Sequence, residues 1–313
     1  MITTERKVTG ILSALMVLMI VGTFSVSAAD TTNETRLKIA TTTSLYDTGL
    51  LNYIQTKFQD EYGTPLSIVS GGTGIAIQYG QRGDVDLLII HDKARELKFV
   101  QDGDGLQRRC IAYNYFVLVG PADDPAGVKG MNATQAFKTI LEKGQAEPDK
   151  VKFVSRGDNS GTQSREIQIW KAAGYNYSKV NNSGPWYIDA GQGMGATLMM
   201  TNEKQAYTLS DTSTFMAYKG NLTIVPLVEG GKDLLNVYVA IAVNPVKHPG
   251  ANCAMANKFI DYLVSEEGQK IIGDFGRDKY GQALFYPAAG NCSLIGCSSG
   301  ECAVPTNATC ATA

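Results

Sequence analysis

From Leu37 onward, short apolar runs alternate with segments whose apolar residues recur every three to four positions. That alternation constrains the fold more than any other feature, because it is how α/β folds with mainly parallel sheets are built. Residues 37–40 read as a strand, and Leu50, Leu51, Ile54, Phe58 and Tyr62 form the inward stripe of a helix ending near Gly63. Further strands are predicted at 66–69, 85–90, 115–119, 152–154, 186–188, 206–209, 224–227 and 237–243. The 85–90 run is apolar almost throughout, as burial on both faces requires. Predicted helices cover 75–79, a segment capped by Asn132 and running to Leu141, 163–173, a segment through Met200, and 253–272.

Four turns stand between a predicted strand and a predicted helix: Thr41-Thr42-Thr43-Ser44, Gly71-Gly72-Thr73-Gly74, the Ser155 to Thr162 stretch SRGDNSGT, and Gly191-Gln192-Gly193-Met194-Gly195. Such a turn offers backbone N–H groups without intrahelical partners, hydroxyls beside them and the positive end of a helix dipole. In parallel sheets these turns gather at the carboxyl ends of the strands, where ligands bind. Each alone is most often a plain N-cap or a plain glycine turn. Together they describe an anion site, to which Arg156 adds one full positive charge. Asp158 reads as the carboxylate that orients or balances that guanidinium; the alternative is a simple surface salt bridge.

Other chemistry is poorly supplied. With 28 Lys+Arg against 30 Asp+Glu, the formal charge is −2, and no basic run exists to neutralise a nucleic acid. There is no G-x-x-x-x-G-K-[ST] loop for nucleotide phosphates, and Ser160 lacks the G-x-S-x-G setting of a hydrolase elbow. The two histidines, His91 and His248, sit beside neither a metal-ligand partner nor a nucleophile motif in the sequence. No enzyme, no cofactor and no direct protein–metal ligand is expected.

The ends speak to compartment. Residues 1–29 have a basic start, an apolar stretch and a small-residue Ser27-Ala28-Ala29 junction, the form of an export signal or an uncleaved anchor. Six cysteines, Cys110, Cys253, Cys292, Cys297, Cys302 and Cys310, favour disulfides in an exported chain, with four of them forming a stapled tail over 290–313. Their spacing does not match a zinc ribbon, and their pairing cannot be deduced. Asn-x-Ser/Thr sites at Asn33, Asn132, Asn176, Asn181, Asn221, Asn291 and Asn307 are either glycan acceptors or ordinary surface asparagines. The pattern restarts after the 115–119 strand and is rejoined by 237–243, which suggests two lobes: 36–118 with 237–289, and 119–236. One continuous sheet is the alternative.

At these residues the chain resembles the tungstate-binding proteins of ABC importers (the Tup type), a branch of the two-lobed periplasmic binding proteins. The carrying motifs are ATTTSLYDTGLL from Ala40, GGTG from Gly71, GDVDLLIIH from Gly83, FVSRGDNSGT from Phe153, WYIDAGQGMGATL from Trp186, AYTLSD from Ala206 and AVNP from Ala242. The resemblance implies a type II periplasmic-binding-protein fold whose lobes close on a tetrahedral oxyanion, as a monomer that delivers it to a membrane permease. Matched motif by motif, it implies ligand contacts from Thr43, Ser44, Thr73, Arg156, Ser160, Gly161 and Thr162, with Gln192, Gly193 and Met194 from the fourth turn. The SRGDNSGT turn is also similar to a segment of phosphate-binding proteins. Tungstate and molybdate present only acceptor oxygens, whereas phosphate near neutral pH carries a proton and benefits from a carboxylate. The first two turns contain no acid, which leans away from phosphate, with Asp47 and Asp158 the nearest acids against that view; molybdate, sulfate and phosphate stay open beside tungstate, as do an exported phosphate or sulfate ester hydrolase and a sensor domain.

Overall fold

The computed structural model describes residues 36–302 and Cys310; the expectations for 1–29, Asn33 and Asn307 lie outside the described residues. Ten strands carry the fold: β1 (Leu37–Thr42), β2 (Leu66–Gly71), β3 (Leu87–Ile90), β4 (Gly105–Gly120), β5 (Phe153–Ser155), β6 (Tyr187–Asp189), β7 (Thr208–Asp211), β8 (Val225–Glu229), β9 (Leu235–Val243) and β10 (Tyr286–Pro287). The helices that matter here are α1 (Thr43–Asp47), α2 (Leu50–Tyr62), α3 (Thr73–Arg82), α4 (Lys93–Gln101), α5 (Ala133–Ala146), α6 (Gly161–Ala172), α7 (Tyr177–Asn181), α8 (Met194–Glu203), α9 (Thr212–Tyr218), α10 (Cys253–Val264) and α11 (Glu266–Asp274).

Strands β2, β1 and β3 pair in parallel, as the alternation requires. Beyond β3 the order continues β9, β4, β10, and each of these pairs antiparallel to its neighbour, so the sheet is mixed. Alternation in β3 explains its unbroken hydrophobicity: Leu87 and Ile89 enter one core, with Phe58 and Phe259, while Leu88 and Ile90 enter another, with Phe99 and Val239.

Strand β4 organises the molecule. Up to Tyr115 it pairs with β9; from Phe116 to Gly120 it pairs with β7 and β8 instead. Phe116 and Leu118 then pack into a separate core around Phe137, Phe153, Trp170 and Trp186, and Val117 and Val119 pack with Met194, Leu198 and Phe215. The parallel pair β5–β6 belongs to this second region, with Phe153 bridging in parallel to Tyr207. The chain passes back beside β4 at Leu235, opposite Tyr115.

The sequence reading shows only the apolar end of β4. Its first half carries Gln107, Arg108, Arg109 and Asn114, polar residues that break the apolar pattern yet are mostly buried. Arg108 is held by Glu96 at 2.7 Å and by Glu301. The expected 253–272 helix is two helices. Ser265 leaves the helical backbone at ψ 163° and its hydroxyl caps α11 by accepting from Gly268 N at 3.1 Å.

All six cysteines are paired. Only Cys292–Cys302 staples the tail to itself; Cys110–Cys297 and Cys253–Cys310 fasten it to β4 and α10. The exposed Asn132 and Asn176 turn their carboxamides to cap α5 and α7.

Candidate functional site

The SRGDNSGT turn is the centre of the arrangement. Ser155 ends β5 and donates to the buried Glu166 at 2.7 Å. Ser160 caps α6, its hydroxyl oxygen accepting from Gln163 N at 3.1 Å, so the N–H groups of Gly161 and Thr162 are first-turn donors without intrahelical partners. Gly157 has φ +62°, and a Cβ there would overlap the Asp189 carboxylate, so both conformation and space demand glycine. Arg156 is 1% exposed. Its Nη2 donates to Thr43 Oγ1 at 3.0 Å and to the Asp158 carboxylate. Asp158 also accepts from Ser160 N at 3.3 Å, which turns the acid toward the turn's own donors. Asp158 thus bonds both the guanidinium and the turn's own N–H, and the arginine of the pair is buried.

The other three turns meet this one. Gly74 N donates to Asn159 O at 3.3 Å, and a Cβ on Gly72 would lie 2.7 Å from Asp158 O. Two forked hydrogen bonds from Arg95 on α4, to Asn159 O at 2.8 Å and Oδ1 at 2.5 Å, fasten the same contact. Gln192 N donates to Arg156 O at 3.1 Å, and a Cβ on Gly193 would stand 3.6 Å from Thr43 Oγ1. Thr43, through Arg156, closes the ring.

Within this ring, four buried side-chain atoms have no partner among the described residues: Thr73 Oγ1, Thr162 Oγ1, Arg156 Nε and Arg156 Nη1. The arginine atoms are obligate donors and the threonine hydroxyls can donate. Leaving a buried donor unmet costs about 1–3 kcal/mol, more when it is charged, so the set calls for an acceptor. Two of the acids nearby are engaged. Asp158 is taken by Arg156 and Ser160; Asp211 accepts from Ser213, from Thr214 N at 2.9 Å and from Thr214 Oγ1 at 2.7 Å. Burial pushes the Asp47 carboxyl above its ordinary range, partly offset by Arg156, though Asp47 itself stands exposed at the end of α1.

The expected residues divide by what their side chains do. Thr43, Thr73, Arg156, Ser160 and Thr162 bring hydroxyls or the guanidinium to the ring, and Gly161 and Gly193 bring backbone. Gln192 has an exposed side chain, and Met194 buries its side chain among Val117, Leu198 and Phe215. Those two are left with backbone groups to offer. Ser44 is fully buried and its hydroxyl lies 3.4 Å from His91 Nε2. The sequence sets the histidines beside no hydroxyl nucleophile, but folding does: the 47 positions between Ser44 and His91 are spanned by the parallel β1–β3 pairing. His91, Asn114, Asp211, Ser213, Thr214 and Asn236 are buried polar residues around the site; His91 and Asp211 end two of the quoted motifs, and none of the six was expected at the ligand. A cavity of about 600 Å³, lined by Tyr53, Lys57, Lys270 and Phe275, lies on the α2–α11 side and touches none of these turns.

The mixed α/β fold around one central sheet is matched by the comparisons with known proteins. A family model described as a PBP superfamily domain matches residues 26–267, and the chain belongs to that superfamily. Within it, the relatives are specific. The tungstate-binding protein TupA of Peptoclostridium acidaminophilum is 41% identical over 254 residues, 80% of this chain and 85% of that protein. A crystal structure titled as the tungstate ABC transporter from Geobacter sulfurreducens matches with TM-score 0.69 and 43% identity, over 77% of this chain and 99% of that one. The tungstate-binding protein TupA from Desulfovibrio alaskensis G20 matches with TM-score 0.67 and 42% identity, over 80% and 98%.

Proposed function

We propose that this protein is the extracytoplasmic substrate-binding component of an ABC importer and that it captures tungstate between two lobes. The observation that carries the reading is the set of unpartnered buried donors: Thr73, Thr162 and two nitrogens of Arg156, drawn from two different turns that meet across the molecule. Tungstate is a dianion that presents acceptors only, and Asp158 and Asp211 beside the ring are already bonded, which suits tungstate, molybdate or sulfate; Asp47, near Arg156, is the acid that would favour hydrogen phosphate. The names of the relatives favour tungstate within that set. They describe binding and transport proteins, and the hydrolase alternative is set aside.

In this reading one lobe comprises residues up to Tyr115 together with those from Leu235, and the other comprises 116–234. The boundaries follow the strand pairing and fall two or three residues before the sequence expectation. The hinge is then the paired passage of β4 and β9. Arg156 on one lobe bonding Thr43 on the other, and Arg95 bonding Asn159, describe a closed form. Lobe closure dries the ring and strengthens each charge-assisted hydrogen bond. An extracytoplasmic location is supported by the three disulfides and the export-like N-terminus; no helix among the described residues is long and apolar enough to cross a membrane. The partner is an ABC permease, and the receptor acts as a monomer. Calorimetric titration with tungstate, molybdate, sulfate and phosphate tests the proposal. Tungstate is expected to bind most tightly, and tighter binding of hydrogen phosphate would overturn the specificity.

A further inference from the structure

A line of buried hydrogen bonds runs from Asp211 at the start of α9 to Ser44 in α1, and its direction follows from chemistry alone. Asp211 is a carboxylate and accepts, so the Ser213 hydroxyl spends its hydrogen on it. Ser213 Oγ is then an acceptor for Asn114 Nδ2 at 3.1 Å. This fixes the amide of Asn114, whose Oδ1 accepts from Asn236 Nδ2 at 2.8 Å. The second hydrogen of Asn236 Nδ2 goes to Tyr238 Oη at 3.0 Å. Asn236 Oδ1 therefore faces His91 Nδ1, 2.8 Å away, as an acceptor. His91 must carry its hydrogen on Nδ1.

Burial holds the His91 ring below its ordinary pKa, partly countered by the field of Asp211, so near neutral pH the ring is uncharged. A neutral ring protonated on Nδ1 leaves Nε2 with a bare lone pair, and Ser44 Oγ, at 3.4 Å, donates to it. Thr42 Oγ1, 3.3 Å from Ser44 Oγ, can supply the hydrogen that Ser44 accepts. Asp211, Ser213, Asn114, Asn236, His91 and Ser44 are all buried. Asn114 and Asn236 are also direct partners on β4 and β9, where the two strands cross between the regions.

We propose that His91 is a positioning residue of the oxyanion site: the one-way line from Asp211 makes it hold the Ser44 hydroxyl inward, so that α1 meets the ligand with Thr43 and with backbone N–H groups. Ser44 then serves the ligand through its main chain, and its hydroxyl is a strut. The close approach of His91 to α6 belongs to the same device, since a Cβ on Gly161 would lie 2.8 Å from the ring. Both turns that flank Arg156 thus rest on one imidazole. The proposal deepens the oxyanion reading and rests on it.

Nitrogen-15 NMR of the histidine rings in the full-length protein, with and without sodium tungstate, reads the device directly. The expected spectrum has His91 Nδ1 protonated and Nε2 bare near neutral pH, in both states. Asp211→Asn keeps the shape but removes the fixed direction of the line; it is expected to populate the other tautomer and to weaken tungstate at least fivefold. His91→Gln is expected to weaken tungstate by tenfold or more, with a melting temperature within a few degrees of wild type. A wild-type ring protonated on Nε2 overturns the proposal whether or not either variant folds, as does wild-type affinity in a folded His91→Gln protein. Should the wild-type protein bind no oxyanion while showing the expected tautomer, the oxyanion reading fails and the hydrogen-bond direction stands.

Discussion

Arg156 carries most of the weight at the residue scale. Its side chain is buried with one carboxylate partner and, among the described residues, two nitrogens unmet, an arrangement that costs stability and that a bound anion would relieve. Arg156→Ala should therefore raise the tungstate dissociation constant about a hundredfold or more, equivalent to roughly 3 kcal/mol, while the ligand-free melting temperature changes little. Parallel calorimetry and thermal unfolding check this, and a large loss of stability at unchanged affinity would contradict it. Glu166 makes a prediction of the opposite kind. It is buried, it accepts from Ser155, Trp170 and Tyr187, and burial lifts its pKa from 4.5 to about 7. Between those values the unfolded chain loses a proton that the folded chain keeps, so stability falls as pH rises through that window, by on the order of 3 kcal/mol. Glu166→Gln, which can keep the same acceptor oxygen for Trp170 and Tyr187, should flatten this part of the profile in melting curves taken from pH 4.5 to 7.5. An unchanged slope would show that Glu166 is not its source.

At the scale of elements, the fold of each turn decides whether the ring can close. A Cβ on Gly72 would stand 2.7 Å from a backbone oxygen that cannot swing aside. Gly72→Ala should push the α3 turn off the SRGDNSGT turn at a cost of about 1–3 kcal/mol, read as a roughly tenfold or greater loss of tungstate affinity. Wild-type affinity would mean that these turns need not touch. The turns themselves were legible in the sequence, because glycine and hydroxyl residues between an apolar run and an amphipathic segment have few other uses. Helices α4 and α9 were not read, although Asp92 and Asp211 cap them. Those caps follow or end short strands, where the same residues pass for loop polarity. The first half of β4 escaped for a different reason: Arg108 and Asn114 look like surface residues until Glu96, Glu301 and Asn236 arrive from distant segments to satisfy them. The line from Asp211 to Ser44 was hidden likewise, since it joins residues from five separate stretches of chain.

Over the whole molecule, two strands and a fastened tail hold the regions in place. Pairing β4 with β9 on one side of Tyr115 and with β7 and β8 on the other gives a frame on which the turns converge. The tail is tied to that frame by Cys110–Cys297, which closes a loop spanning a sequence separation of 187, and Glu301 reaches Arg108 beside it. Replacing both cysteines of that bond by serine should cost about 2–5 kcal/mol and lower the melting temperature by roughly 5–15 °C; an unchanged transition would mean the tail contributes no stability. The arrangement of strands, helices and the turns between them was readable because it depends on local periodicity. Which sulfurs pair, and which buried amides point where, depends on contacts between remote segments and needed the folded chain. The central claim, that an all-donor ring around Arg156 receives a tetrahedral dianion, is tested most directly by calorimetric titration of the full-length protein with sodium tungstate. Saturable one-to-one binding that Arg156→Ala largely abolishes is expected. Absence of binding to tungstate, molybdate and sulfate alike by the folded wild-type protein would contradict it.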